Sequence, residues 1–350
     1  MKYSFLTIQT QYENLGDALI IRELVALLSQ HSKLIVDTSH CPDWFAEMLN
    51  LPKGTQHLRG RIAMMQAMML LRLQGHDVFF ALIPGGNFGE LSWLKFVKGL
   101  LMLLPLGVMK ALGIKLIQLG VSFERMGWRA MLLLRLRGYF MHAFYVRDEQ
   151  SSALLKQYKI RHKGILPDLA FHLFTREVKP VGQLKRVCLS FRTDQYSTQK
   201  DRVRDVVDAL VEAMPKATNY VLSVQVERDL KGMKYIQQHL NAKHGIEAEI
   251  FHEARDIDKI QAFYATVDAV VSNRLHVLLL GGSACGRLVA CVDETNQKVA
   301  GLFGTVGRRD LVVAMDKVTP QLMKQALAQD AFTATAEQKA LVKGVETIFA

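Results

Sequence analysis

Two α/β lobes, each a parallel sheet with helices on both faces, are the fold class this sequence predicts. Three observations carry the prediction. Short apolar strand-like runs alternate with helical patterns, first in one half of the chain and again in the other. A polar stretch at 175–185, holding Pro180 and Gly182, interrupts the alternation near the middle. A chain of 350 residues is also too long for one small core and suits two domains of roughly 150 to 200 residues.

In the first lobe, residues 1–175, strands are predicted at 3–9, 33–37, 77–83, 114–119 and 143–146, with a helix at 18–28. Residues 176–185 read as a linker. The second lobe, 186–330, has strand patterns at 186–191, 220–226, 247–251, 268–271, 288–292 and 311–314. Helical patterns follow at 320–328 and 336–348, and the terminal segment 331–350 is free to pack back on the first lobe. No repeat of solenoid period and no low-complexity run interrupts this plan.

Half of the residues are hydrophobic and charge is at an ordinary level, so a filled core is expected and disorder is not. The first nine residues alternate like a strand and lack an apolar signal region, so no secretion signal is expected. The four cysteines, Cys41, Cys188, Cys285 and Cys291, form no CxxC pair and no paired spacing with histidine, which argues against a cysteine zinc site and a disulfide framework. Free thiols in a reducing cytoplasm are the expectation. No aspartate-rich metal motif appears either, so no metal is assigned.

The net charge of +11 is unevenly placed: between residues 53 and 145, twelve Lys and Arg face three Asp and Glu. Three apolar segments, 61–74, 96–112 and 128–142, lie in this basic region. The longest uncharged run among them, 99–109, contains Pro105 and is only eleven residues, well short of the ~20 a bilayer span needs. Basic residues interleaved with Leu, Met and aromatics fit helices at an anionic lipid surface, with the protein peripheral on the inner face of the cell membrane. Buried helices with snorkelling basic ends fit equally. Nucleic acid is not expected, since neither an RNP-like aromatic motif nor a helix-turn-helix signal is present.

Several motifs sit where a strand passes into a helix. Asn14-Leu15-Gly16-Asp17 follows the first strand, where glycine would allow a tight turn toward a ligand and Asp17 would either act on it or cap the helix. Pro84-Gly85-Gly86-Asn87-Phe88-Gly89 follows the strand at 77–83, and its glycines permit positive φ and close approach, though a structural turn would use them too. Arg147, in Val146-Arg147-Asp148-Glu149, would hold an anion or pair with Asp148 or Glu149. Ser190 and Arg192 share one side of a strand end as an anion-facing pair. Ser272-Asn273-Arg274-Leu275-His276, before an apolar helix read as closing at Gly281-Gly282, puts a fixed cation and a titratable group at a helix N-terminus. Lys298 follows the strand at 288–292 on the same rim, or is a solvated lysine.

In this order the motifs resemble those of the polysaccharide pyruvyl transferase family: Asn-x-Gly-Asp, a glycine turn continuing as Asn-Phe-Gly, Arg-Asp-x-x-Ser (Arg147 to Ser151 here), Pro-Asp (Pro167-Asp168), Ser-x-Arg, and Arg-x-His followed by a lysine. The resemblance implies two Rossmann-like lobes in a GT-B-like arrangement with a central cleft. It implies a transferase of exopolysaccharide biosynthesis with phosphoenolpyruvate as donor substrate, no further cofactor, and a sugar or lipid-linked oligosaccharide as acceptor. His276, Arg274, Asp17 and Arg147 are then the catalytic candidates. Asn14, Gly16, Gly85, Gly86, Asn87, Ser190, Arg192, Asn273 and Lys298 are the substrate-binding ones. A nucleotide-sugar glycosyltransferase and a non-catalytic component of polysaccharide assembly are the competing readings.

Overall fold

The computed structural model describes the chain except residues 86–89, 124–125, 176–181, 183 and 294–295. Its strands are those the apolar runs predict, because strands covered on both faces by helices are apolar along their whole length. In the first sheet they are β1 (Lys2–Thr7), β2 (Lys33–Asp37), β3 (Gln56–Leu58), β4 (Asp77–Leu82), β5 (Lys115–Val121), β6 (Ala143–Val146) and β7 (Gly164–Ile165). They lie in the order β3-β2-β1-β4-β5-β6-β7, and every pairing is parallel. The edge strands β3 and β7, three and two residues long, carry no periodic signal and went unpredicted.

The helices of this half are α1 (Leu15–Ser29), α2 (Asp43–Met48), α3 (Arg61–Leu73), α4 (Trp93–Leu101), α5 (Leu103–Ala111), α6 (Trp128–Gly138) and α7 (Glu149–Gln157). The segment 96–112, which reads as one helix, is two. Pro105 falls in the first turn of α5, the one place in a helix where its missing N–H costs nothing, so the helix breaks just upstream. Phe5, Ile35, Met68, Val78 and Leu116 fill the core under β1, β2, β4 and β5.

The second sheet contains β8 (Arg186–Ser190), β9 (Asn219–Val224), β10 (Glu249–His252), β11 (Ala269–Ser272), β12 (Leu288–Val292) and β13 (Val312–Ala314). Its order, β10-β9-β8-β11-β12-β13, is again fully parallel. Around it run α8 (Gln199–Ala213), α9 (Leu230–His244), α10 (Ile257–Tyr264), α11 (Leu275–Cys285), α12 (Gln297–Thr305) and α13 (Pro320–Leu327). The final helix, α14 (Thr335–Phe349), brings the Phe349 ring to 4.3 Å from Phe79 of the first sheet. The chain divides into two compact units: Met1–Tyr12, Ile20–His172 and Glu337–Ala350 form one, and Glu13–Leu19 with Leu173–Ala336 the other.

One glycine pair has a different purpose from the predicted one. Gly281 and Gly282 lie inside α11 and do not close it; Gly286, at φ 74°, does. A Cβ on Gly281 would fall 2.6 Å from Val270 Cγ2 and one on Gly282 2.7 Å from Leu288 Cδ2. The two glycines therefore let α11 lie directly on β11 and β12.

The basic apolar helices differ in where they place their charged heads. Arg137 of α6 is half-buried with its head paired: Nη2 donates to Gln118 Oε1 at 2.7 Å, and loss of water around the guanidinium lowers it to about 10. Gln118 in turn donates to the carbonyl of Ile83 at 3.3 Å, bracing the chain just before the glycine turn. Lys95, Lys98 and Arg135 are exposed, beside outward-facing Trp93 (60%), Leu94 (65%), Leu104 (68%) and Trp128 (55%). Trp93 and Trp128 meet edge to face, and the Arg129 guanidinium lies 4.5 Å from the Trp93 ring centre. No described helix is long and apolar enough to cross a membrane.

Candidate active site

In parallel sheets, ligands gather beyond the carboxyl ends of the strands where the strand order reverses. In the second sheet that point lies between β8 and β11, neighbours in space but distant in sequence. Side chains lace the two strand ends together. Ser272 Oγ donates to the Ser190 carbonyl at 2.5 Å and accepts from Arg274 N at 3.0 Å. The Asn273 amide brackets the backbone of Arg192, accepting from its N–H and donating to its carbonyl, both at 2.8 Å. Ser190, buried, donates its hydroxyl to the Ser223 carbonyl on β9 at 2.8 Å. Ser190 and Asn273, expected to bind substrate, are thus engaged with backbone; they hold the strand ends in shape.

What this lacing positions is a pair of guanidinium groups. Arg274 Nη2 donates to Asp229 Oδ1 at 2.5 Å, with the side chains 16% and 4% exposed. Burial pushes the Asp229 carboxyl up and the Arg274 guanidinium down, each opposed by the attraction of the other. Arg274 Nε has no hydrogen-bond partner among the described residues. Arg192, a third exposed, donates from Nε to Asp194 Oδ1 at 2.7 Å. Burial would raise Asp194, but the hydrogen bond and charge of Arg192, with the charge of Arg228 and a backbone hydrogen bond, together hold the carboxyl below its ordinary value. Arg228 adds a third positive charge acting on Asp194, Asp229 and Arg274. Three arginines against two aspartates leave this rim cationic.

His276, in the first turn of α11, lies against the start of α1. A Cβ on Gly16 would fall 2.2 Å from His276 Nδ1, so only glycine admits the imidazole. The expected role for Gly16 was a tight turn; instead it sits within the first helical turn without positive φ, and what it provides is room. Asn14 is the residue that caps α1, its Oδ1 accepting from Gly16 N at 3.2 Å. Its Nδ2 donates to Asp17 Oδ1 at 3.0 Å, orienting that half-buried carboxylate. Asp17 is therefore not the cap. Asn14, Gly16 and Asp17 belong by contact to the second unit, together with His276.

Lys298 is exposed in the first turn of α12, whose start Asn296 caps by accepting from Val299 N at 3.2 Å. In the first unit, Gly85 takes up φ 139°, a conformation open to glycine alone. Gly86 and Asn87 lie outside the described residues. Arg147 pairs not with Asp148 or Glu149 but with Asp168, Nη1 to Oδ2 at 2.6 Å, and is 4% exposed. Asp148 instead caps α7, accepting from Ser151 N at 2.7 Å. Asp229 and Arg228 escaped sequence reading, although the charged triplet Glu227-Arg228-Asp229 at the end of a strand pattern was a usable signal.

The sequence model of polysaccharide pyruvyl transferases matches residues 14–286, well over half of the chain. This chain belongs to the polysaccharide pyruvyl transferase family. The matched stretch runs from the Asn14 cap through the Arg274 and His276 rim; Lys298 lies beyond it. No curated protein matches this pyruvyl transferase family member significantly by sequence. Among solved structures, it is similar to UDP-GlcNAc 2-epimerase from Methanocaldococcus jannaschii at 13% identity and TM-score 0.59, covering 99% of this chain and 100% of that one. UDP-GlcNAc 2-epimerase from Neisseria meningitidis, bound to UDP-GlcNAc, is 12% identical at TM-score 0.58, with the same coverages of 99% and 100%. A glycosyltransferase from Rickettsia africae is 9% identical at TM-score 0.56, covering 99% of this chain and 96% of that one. At such identities the likeness is one of fold, two parallel-sheet α/β lobes of the GT-B kind.

Proposed function

We propose that this chain is a ketal pyruvyl transferase, moving the three-carbon unit of phosphoenolpyruvate onto two hydroxyls of a sugar in a cell-surface polysaccharide or its lipid-linked precursor. The observation that carries the reading is the His276 imidazole seated on Gly16, two residues along the chain from the Arg274 that pairs with Asp229. It sets an imidazole, a side chain that can both give and take a proton, at the same strand end as a fixed cation in a chain of this family.

The donor carries a phosphate and a carboxylate, so its site needs several fixed positive charges. Arg274 and Arg192 take these roles, with Lys298 assisting the leaving phosphate. Arg147 is left out of the donor's contacts, because its Nη1 and its burial belong to Asp168. In the reaction, one sugar hydroxyl oxygen bonds to C2 of the enol while C3 takes a proton. The second hydroxyl then displaces phosphate from the same carbon. Two hydroxyl protons are lost, one is gained at C3, and the other leaves with phosphate. His276 delivers the C3 proton and accepts one from a hydroxyl; Asp17, held by Asn14, acts on the acceptor hydroxyls. No cofactor enters this balance.

The outward-facing Trp, Leu and Lys side chains of α4, α5 and α6 support a second part of the reading, docking on an anionic membrane face where a lipid-linked acceptor is presented.

Donor consumption tests the proposal. Supplied with phosphoenolpyruvate and a panel of hexosides and lipid-linked oligosaccharides, the protein is expected to release inorganic phosphate only when an acceptor is present. His276→Ala is expected to lower kcat by roughly 10²- to 10⁴-fold while still binding phosphoenolpyruvate. Consumption of a UDP-sugar in place of phosphoenolpyruvate would make the chain a glycosyltransferase, and consumption of neither a non-catalytic partner.

A further inference from the structure

A second cluster of titratable side chains stands apart from Arg274 and His276. Asp208 of α8 faces His239 and His244 of α9, and both imidazole Nε2 atoms lie 2.7 Å from the same Asp208 oxygen, Oδ1. The three candidate ligand atoms all fall within 4.8 Å of one another. The rings are set at 84° with centres 5.9 Å apart, so they converge on one point from different directions. All three side chains are mostly buried, at 15%, 14% and 13% exposure. Lys243 Nζ occupies the other Asp208 oxygen, Oδ2, at 2.8 Å.

The surroundings favour a cation. His244 is the last residue of α9, and Gly245 at φ 64° ends the helix there, so the carbonyl end of the helix dipole points toward the cluster. α9 runs back from the carboxyl ends of the strands, so its last turn lies at the opposite edge of the sheet from Arg192 and Arg274.

We infer that Asp208, His239 and His244 form a binding site for a divalent transition-metal ion of the zinc class, which clips α8 to α9. Two imidazole nitrogens and one carboxylate oxygen are a donor set that selects zinc-like ions over magnesium and calcium, which prefer all-oxygen ligands. Three protein ligands leave a further position for water. On binding, each ring coordinates through Nε2 and keeps its proton on Nδ1. Asp208 coordinates through Oδ1 while Lys243 remains on Oδ2 as an outer partner that orients the carboxylate. This site is independent of the pyruvyl transfer reading.

The full chain, stripped with EDTA and dialysed, is titrated with Co²⁺ near neutral pH while visible absorption is followed, and Zn²⁺ is then added in competition. One Co²⁺ per chain is expected, with the intense d–d bands of a four- or five-coordinate ion, displaced by one Zn²⁺. Zn²⁺ should also raise Tm. His239→Gln and His244→Gln are each expected to weaken Zn²⁺ by more than about 100-fold, since loss of an outer partner alone costs roughly 10- to 100-fold. His252→Gln, which alters an exposed histidine paired with Glu227, should leave affinity unchanged. A weak octahedral Co²⁺ spectrum in the wild-type protein overturns the inference even if the variants fail to fold. Unchanged affinity in both cluster variants overturns it as well.

Discussion

The most informative contact in the site is the approach of His276 to Gly16. A methyl group on Gly16 has nowhere to go, because what it meets is a ring nitrogen on the first turn of α11, held there by the laced ends of β8 and β11. Alanine is nonetheless the better helix former, by up to about 1 kcal/mol, so α1 itself would gain. Gly16→Ala is therefore expected to lower kcat/KM by about 100-fold, through a displacement of the imidazole on the order of 1 Å, with little loss of Tm. Steady-state kinetics and calorimetry check this together. In a His276→Ala background the same change should cost no further activity, and an additive loss would separate the two residues. At this scale the sequence was partly legible. Arg-x-His at a strand end announced Arg274 and His276 through residue type alone. That Asn273 and Ser190 would bond backbone, and that Asp229 would be the partner of Arg274, required knowing which strand end lies beside which.

Among elements, α11 is the one whose placement the site depends on most. Its closeness to β11 and β12 rests on Gly281 and Gly282, and a valine at 281 would overlap Val270. Gly281→Val is expected to destabilise the fold by roughly 1 to 3 kcal/mol, read as a lower urea midpoint with unchanged m-value. The pair α8 and α9 gives a pH-dependent prediction. Burial would raise the Asp208 carboxyl, but hydrogen bonds from Lys243, His244 and His239 overcome this and hold it at about 2. A carboxyl lowered in the folded state adds stability that is fully present above its unfolded pKa of roughly 4 and is lost as pH falls toward about 2. In EDTA, Asp208→Asn should therefore remove about 2 kcal/mol of the wild-type stability at pH 6 and little at pH 2, measured by urea unfolding. Apolar runs identified every strand except β3 and β7, whose short sequences carry no such run. Those two are held at the sheet edges by pairing alone.

For the molecule as a whole, the basic and apolar character of the first lobe is its most unusual property. Exposed Trp93, Leu94, Leu104 and Trp128 lie among exposed Lys95, Lys98 and Arg135, a combination suited to anionic headgroups. Flotation with anionic vesicles is expected at low salt and should weaken as salt screens the charges; Trp93→Ser with Trp128→Ser should weaken it even at low salt. Absence of the wild-type protein from the vesicle fraction at low salt would reject docking. Arg137 shows why composition alone could not decide the matter: it belongs to the same basic helix, yet its head is buried on Gln118.

By itself the sequence determined the class of fold, the order of strands and helices, and the family, because apolar periodicity and short motifs at strand ends are local properties that survive in a linear reading. The tertiary structure decided which polar groups have partners. Arg147 meets Asp168, twenty-one residues on, and Asp208 meets histidines thirty-one and thirty-six residues on. Parallel sheets bring such groups together through crossovers, so the partner of a charge depends on strand order, and strand order is set by the packing of the whole lobe.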